Sequence, residues 1–527
     1  MLLRVLVLAI GTTLTASTPR LVLGVSPERA ETTFDLQSAT MADIQAAMDA
    51  GALTSERLTQ LYLARIATYD KQGPTINAVI TLNPKALETA RALDIERKAT
   101  GPRSLLHGVP VVLKDLFDTA DMPTTAGFLP MASSQPLRDA FVVKRLRDAG
   151  AIILAKVNLS DWFGVPRRGD QSTLLGRTNN PYNLDRSPGE SSGGPGASVA
   201  AYFAQTGVGS ETGISIRNPL SNNNLVGIAA TQGLISRTGQ IVTSFTQERA
   251  GPFARNTYDM AVMLTVMAGF DPEDLATAES LGHVPATSYT AFLDRDGLRG
   301  ARIGVWRDLF RVGPRHADGL VLIDQAIAAI RKAGAVVVDP IATGRDLFAI
   351  LGSARTNADE AKFAFDLYFS RLGRDAPIRS VDELLVKGGA LVRPYIVAAA
   401  KISSLNDRQT YLAKLETRAM LRRLAVELMD RYQLDALIYP FKTVPAPLHM
   451  ETARESDNAF SALTGLPALL MPAGLTPTED APIAIEFLGR PWSEPTLIRL
   501  ASGFEAVAPH RVTPRSTPPL AGEKFVY

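Results

Sequence analysis

Apolar positions from Met41 to Asp70 recur at helical spacing, break at Gly51 and restart after the cap-like pair Thr54 and Ser55, which predicts two packed helices. The pattern then changes. The run LHGVPVVLKD, Leu106 to Asp115, carries β-branched and apolar residues into a single lysine and predicts a buried strand ending at Lys114. Short apolar runs at Ala151 to Leu154, Ala301 to Val305, Ala335 to Val338 and Ala436 to Tyr439 alternate with helical stretches, which predicts an α/β fold around a central sheet. The interval from about Thr343 to Tyr432 is mostly helix-like and predicts a helical lobe over one end of that sheet. No repeat of solenoid type is present.

A chain of 527 residues, 46% hydrophobic, buries a core large enough for one large domain or two intimate ones. Its 55 basic and 53 acidic residues nearly cancel, so the overall field gives no pull toward nucleic acid or an anionic membrane. There is no cysteine, which removes disulfides, thiolate metal sites and cysteine nucleophiles together. At the start, a short basic segment (Met1 to Arg4) precedes an apolar run (Val5 to Leu14) and small residues at Ala16 and Ser17, the layout of a secretory signal peptide. Residues 1–30 are thus expected to be a leader, residues 31–527 a single domain, and the protein periplasmic or secreted; a cytoplasmic protein with an upstream start codon is the alternative. The apolar run is shorter than the about 20 residues a spanning helix needs, so no stable membrane insertion is expected.

The stretch from Arg186 to Gly239 is rich in glycine and serine, yet Ala197 to Ala204 reads as a helix-forming piece between two turns, which a flexible linker would not need. It contains no phosphate-cradling G-x-x-x-x-G-K-[ST] pattern. The segment S-P-G-E-S-S-G-G is followed, 24 residues after Ser191, by Ser215 in S-E-T-G-I-S-I-R. These segments resemble the amidase signature family. LHGVPVVLKD is similar to that family's lysine segment, GRTNNPYNLDRSPG to its approach to the first serine, and AGPFARNTYDMAVMLTVMAG, Ala250 to Gly269, to the segment after its catalytic core. TGLPALLMPAG and EFLGRPWSEPTLIRLASGFE, within Thr464 to Glu505, resemble its last strands and helix.

The resemblance, from about Thr40 to Pro519, implies a mixed central β-sheet flanked by α-helices. It implies Ser215 as nucleophile, Ser191 as a bridging serine after a cis peptide, and Lys114 as the base. The backbone N–H groups of Thr212, Gly213, Ile214 and Ser215 would form the oxyanion hole. The chemistry supports this independently: a serine hydroxyl needs a nearby base, and a lysine serves only where desolvation or positive charge leaves it neutral. One hydroxyl can donate and accept at once, which suits Ser191 to relay a proton. The reaction implied is hydrolysis of a small-molecule amide through an acyl-enzyme, with no metal or organic cofactor.

Glu190 and Ile214 stand where the family usually has glycine. Ile214 resists a positive φ, so the loop is expected to keep ordinary angles. Glu190 is expected to point outward or meet Arg186, because an inward carboxylate would favour charged Lys114. Glu211 is expected to pair with Arg217 and brace the loop, or else to form an ordinary surface ion pair. The histidines at 107, 283, 316, 449 and 510 are scattered without metal-ligand spacing. G-E-S-S-G, Gly189 to Gly193, matches a G-x-S-x-G elbow, but its polar approach is not the strand that elbow requires. Phe128, Trp162, Phe163 and Phe460 read as pocket lining or core, and Asn179, Asn222 and Asn223 as turn residues or substrate contacts. Other readings are an ester or carbamate hydrolase with the same triad, a glutamine-dependent amidotransferase component, and a binding relative disabled by Glu190 and Ile214.

Overall fold

The structure is a computed structural model that describes residues 31–164, 171–406, 408–449, 451, 458–508 and 511–527. The predicted leader and His510 lie outside the described residues. In chain order the strands are β1 (Thr33–Asp35), β2 (Val79–Leu82), β3 (Pro110–Lys114), β4 (Ile152–Val157), β5 (Gln171–Ser172), β6 (Gly176–Arg177), β7 (Thr206–Glu211) and β8 (Val226–Ala229). They continue with β9 (Arg249–Ala254), β10 (Arg302–Trp306), β11 (Val336–Ile341), β12 (Ala436–Pro440), β13 (Ala468–Leu475), β14 (Pro482–Leu488) and β15 (Lys524–Val526).

Eleven of these form one mixed sheet in the order β11-β10-β12-β14-β13-β8-β9-β7-β3-β4-β2. Helices cover both faces, so the central strands are buried at every residue: PVVLK in β3 and IILAKV in β4 leave nothing exposed. That double burial is why the strands read as continuous apolar runs rather than alternating ones. The edge strand β11 shows the opposite, with Val336 exposed, and carries less of the core.

The two predicted helices are Met41–Asp49 and Ser55–Tyr69. Thr40 and Asp43 close a capping box on the first, Thr54 caps the second by accepting from the Arg57 N–H, and Gly51 turns the chain between them at φ 74°. The interval expected to form a helical lobe holds helices Leu347–Ser353, Asn357–Ser370, Val381–Gly388, Pro394–Ala399 and Gln409–Arg431. The helix expected over Ala197 to Ala204 lies earlier, at Gly193–Ala200. A Cβ on Gly194 would stand 2.0 Å from the Asn158 carbonyl oxygen, so the glycines that look like helix breakers are what let this helix pack against the strand β4 segment.

Asp118, just beyond β3, ties the lobe to the sheet by accepting from the Tyr368 hydroxyl at 2.8 Å. Burial, offset in part by that bond, pushes its carboxyl from 3.8 up to about 7. The folded state therefore binds the proton more tightly than the unfolded chain. The stability this group supplies is complete below its unfolded value and is lost as pH rises through about 7. Asp118→Asn should remove on the order of 1 to 3 kcal/mol of pH-dependent stability. Thermal melts between pH 5 and 8 are expected to fall more steeply for the parent than for the variant, and parallel curves would show that Asp118 does not titrate there.

Candidate active site

Parallel pairing of β3 with β7, Leu113 opposite Val208, brings Lys114 level with the last residues of β7. Its ammonium donates to Ser191 Oγ at 2.7 Å and Ser210 Oγ at 3.0 Å, with the Ser210 carbonyl at 3.4 Å. The Trp162 ring centroid lies 5.4 Å from Lys114 Nζ, and the Trp162 indole N–H reaches Ser191 Oγ at 3.4 Å. With both contacts directed at its oxygen, Ser191 has its own O–H available to give elsewhere. Lys114 is wholly buried, and burial lowers its pKa against the opposing pull of the Glu248 and Glu211 carboxylates.

The Ser191 segment is pinned on every side. The peptide between Glu190 and Ser191 is cis. The Ser191 carbonyl accepts from Ser160 N–H at 3.0 Å, and Ser192 Oγ both donates to the Ser210 carbonyl at 3.0 Å and accepts from Ser210 N–H at 3.2 Å. Asn222 and Asn223, buried, hold the carbonyls of Ser187 at 3.1 Å and Pro188 at 2.7 Å, so they are clamps on this turn rather than substrate contacts. Asn179 likewise holds the Thr75 carbonyl at 2.9 Å.

Ser191 and Ser215 line one cavity of ≈ 370 Å³, together with Ser160, Trp162, Glu190, Thr212, Gly213, Ile214 and Thr243. The lobe supplies the remaining wall: Arg355, Asn357, Arg393 and Tyr395. All the residues expected in the oxyanion loop therefore border this cavity. Among the described residues, positive φ at non-glycine positions falls elsewhere and not at Ile214, so the branched residue sits in the loop at ordinary angles. Gly213 is where small size matters, since a Cβ there would stand 2.7 Å from the Arg355 guanidinium.

Glu211 and Arg217 form no surface pair. Both are fully buried 3.1 Å apart in a network in which Arg217 also meets Glu486 at 3.0 Å and Arg249 meets Glu211 at 2.7 Å. Burial opposes ionisation of Glu211, yet the two arginines outweigh it and hold its carboxyl below the usual range. Glu211 Oε2 also accepts the N–H groups of Ile216 and Arg217 at 3.2 Å, and Arg217 donates to the Gly213 carbonyl at 2.7 Å. The pair thus shapes the turn that carries Ser215.

Glu190 lines the cavity, whereas Arg186 pairs with Glu479 and the Ala446 carbonyl. Of the four aromatic candidates only Trp162 reaches the cavity. Phe128 and Phe163 pack edge to face at 5.7 Å, and Phe460 packs on Trp306 at 4.8 Å, all within the core. His107 and His449 bond to backbone carbonyls, His316 to Thr443, and His283 stacks on Trp492. No cluster of metal-ligating side chains occurs among the described residues. Sequence reasoning missed Ser210, Glu248 and the lobe residues of the cavity. Only folding brings them near Lys114 and Ser215, and no motif spacing marks them.

Two serines in one cavity wall, with a buried lysine bonded to one of them from behind, suit hydrolysis of an acyl bond, and comparison with known proteins defines the class. The chain belongs to the amidase family, whose model matches residues 57–498. It is 33% identical over 511 residues to a probable amidase of Arabidopsis thaliana, covering 92% of this chain and 93% of that protein. It is 31% identical to a glutamyl-tRNA(Gln) amidotransferase chain of Myxococcus xanthus, covering 90% of this chain and 98% of that one. The native peptide amidase of Stenotrophomonas maltophilia shares the fold with a TM-score of 0.82 and 38% identity, over 91% of this chain and 99% of that one. The protein is therefore an amidase acting on carbon–nitrogen bonds.

Proposed function

We propose that this amidase cleaves a small or medium carboxamide, a peptide amide included, with Ser215 as nucleophile, Ser191 as proton relay and Lys114 as base. The observation that carries the reading is the 2.7 Å contact between a buried, pKa-lowered lysine and Ser191, in a wall shared with Ser215. Ser215 attacks the carbonyl carbon while its proton passes through Ser191 to Lys114. Backbone N–H groups of residues 212–215 receive the developing oxyanion, a contact for which losing one donor costs on the order of 100-fold or more in rate. The leaving amine takes the proton back along the same relay, and water then releases the acid from Ser215. The likeness to a peptide amidase supports an amide substrate, and the basic-then-apolar start of the chain supports export.

Labelling with a serine-reactive fluorophosphonate followed by peptide mapping tests this. The adduct is expected at Ser215, weaker in Lys114→Ala and absent in Ser215→Ala. A well-folded parent that neither labels nor hydrolyses any amide would overturn the reading and favour a disabled relative. Amide and ester substrates with a common acyl group separate an amidase from an esterase preference.

A further inference from the structure

The antiparallel register of β7 and β9, Glu211 opposite Arg249, places Glu248 beside Thr212, which lines the cavity. Glu248 is wholly buried. Its Oε2 accepts from Thr212 Oγ1 at 2.5 Å and its Oε1 from Gln240 Nε2 at 3.3 Å. The Ser210 hydroxyl, which accepts from Lys114 Nζ at 3.0 Å, also stands close enough to the Glu248 carboxylate to favour its ionised form. Ser210 thus stands between Glu248 and Lys114, which reaches on to Ser191 at 2.7 Å.

We infer that Glu248 is a positioning residue that acts through Ser210 and Lys114, as the counter-charge that keeps the buried amine basic enough to hold a proton. The inference rests on Lys114 being the base of the reading above. A lysine buried without an anion would be neutral but too weak a base to take the proton of Ser215, since a general base works best with its pKa near the operating pH. Burial pulls Lys114 toward neutrality, and the Glu248 charge is the largest opposing influence. Burial also raises the Glu248 pKa, so each group sets the other's protonation.

The neighbouring charges leave this role to Glu248. Glu211 also favours charged Lys114, but Arg217 and Arg249 hold it in ion pairs. Arg237 lies within electrostatic reach of Glu248 but is committed to Asp274 at 2.7 Å. Glu360, which also acts on Arg237, accepts from Ser244 at 2.8 Å and Thr246 at 2.6 Å. Arg355, Arg393 and Glu190 stand in the cavity wall, and none of the three is among the charges that displace Lys114.

Glu248→Gln keeps the shape and the bond from Thr212 but removes the charge. Lys114 then loses the anion that favours its protonated form and becomes neutral at lower pH. The acid limb of the kcat/KM profile for an amide is expected to move down by about one pH unit, with a lower plateau in kcat and little change in KM. Glu248→Asp, which keeps the carboxylate, should bring the limb back toward the parental pH. Both variants folded with their limbs at the parental pH would overturn the inference and leave Glu248 a structural brace. If the parent neither hydrolyses amides nor takes the fluorophosphonate, the functional reading fails by itself. The ε-carbon resonance of Lys114, titrated in the parent and in Glu248→Gln, still decides the inference: a lower midpoint in the variant supports it and an unchanged midpoint overturns it.

Discussion

Lys114→Met should lower kcat for amide hydrolysis by about 100-fold to 10,000-fold while leaving KM and the melting temperature close to the parent's. Methionine keeps an unbranched stem of similar length, so the fully buried strand end stays filled and only the bonds to Ser191 and Ser210 are lost. Without the amine, the relay proposed above has no acceptor for the proton of Ser215. The Glu248 carboxyl, raised by burial and no longer drawn down by Lys114, is expected to take up a proton rather than stay charged, which limits the folding penalty and separates this variant from one that simply misfolds. A kcat within about tenfold of the parent would assign the base to another group.

Arg217→Met is expected to have the largest effect on stability, a loss of about 3 to 5 kcal/mol, because it breaks a fully buried ion network from the inside. Two carboxylates, Glu211 and Glu486, would be left with Arg249 as the remaining arginine of the network. Burial already raises the Glu486 pKa against the pull of Arg217, so this carboxyl is the one that would protonate first. The change also removes the donor to the Gly213 carbonyl, and the loop carrying Ser215 should loosen. Melting temperature and kcat should therefore fall together. Adding Glu486→Gln is expected to recover part of the stability but not the rate, because it discharges the stranded carboxyl without restoring the loop contact. Equal recovery of both would mean that the loop contact contributes nothing to turnover.

How far the sequence could be read depended on which residues act locally. The strand ending at Lys114 was legible because a strand buried on both faces must be apolar along its length, and a lysine at its end stands out against that run. The two serine segments were legible through their ordered likeness to a family. The start of the helix after Ser191 was misplaced because glycine reads as a breaker, whereas Gly194 is needed for contact with the Asn158 backbone. Whether Glu211 and Arg217 meet at the surface or inside could not be read from a spacing of six residues. Their burial follows from strands β9 and β14, which bring Arg249 and Glu486 from far along the chain. Glu248 was invisible for the same reason: its place beside Ser210 is set by the register of β7 and β9 rather than by any local pattern.

The four lobe residues that wall the cavity, Arg355, Asn357, Arg393 and Tyr395, come from one continuous stretch of chain, whereas Lys114, Ser191 and Ser215 are carried by the sheet and the segments packed on it. Such a division makes the protein modular in evolution. Insertions, deletions or exchanges within residues 355–395 can re-cut the chamber to fit a new guest, while the three groups proposed to react keep the alignment that the strands beneath give them.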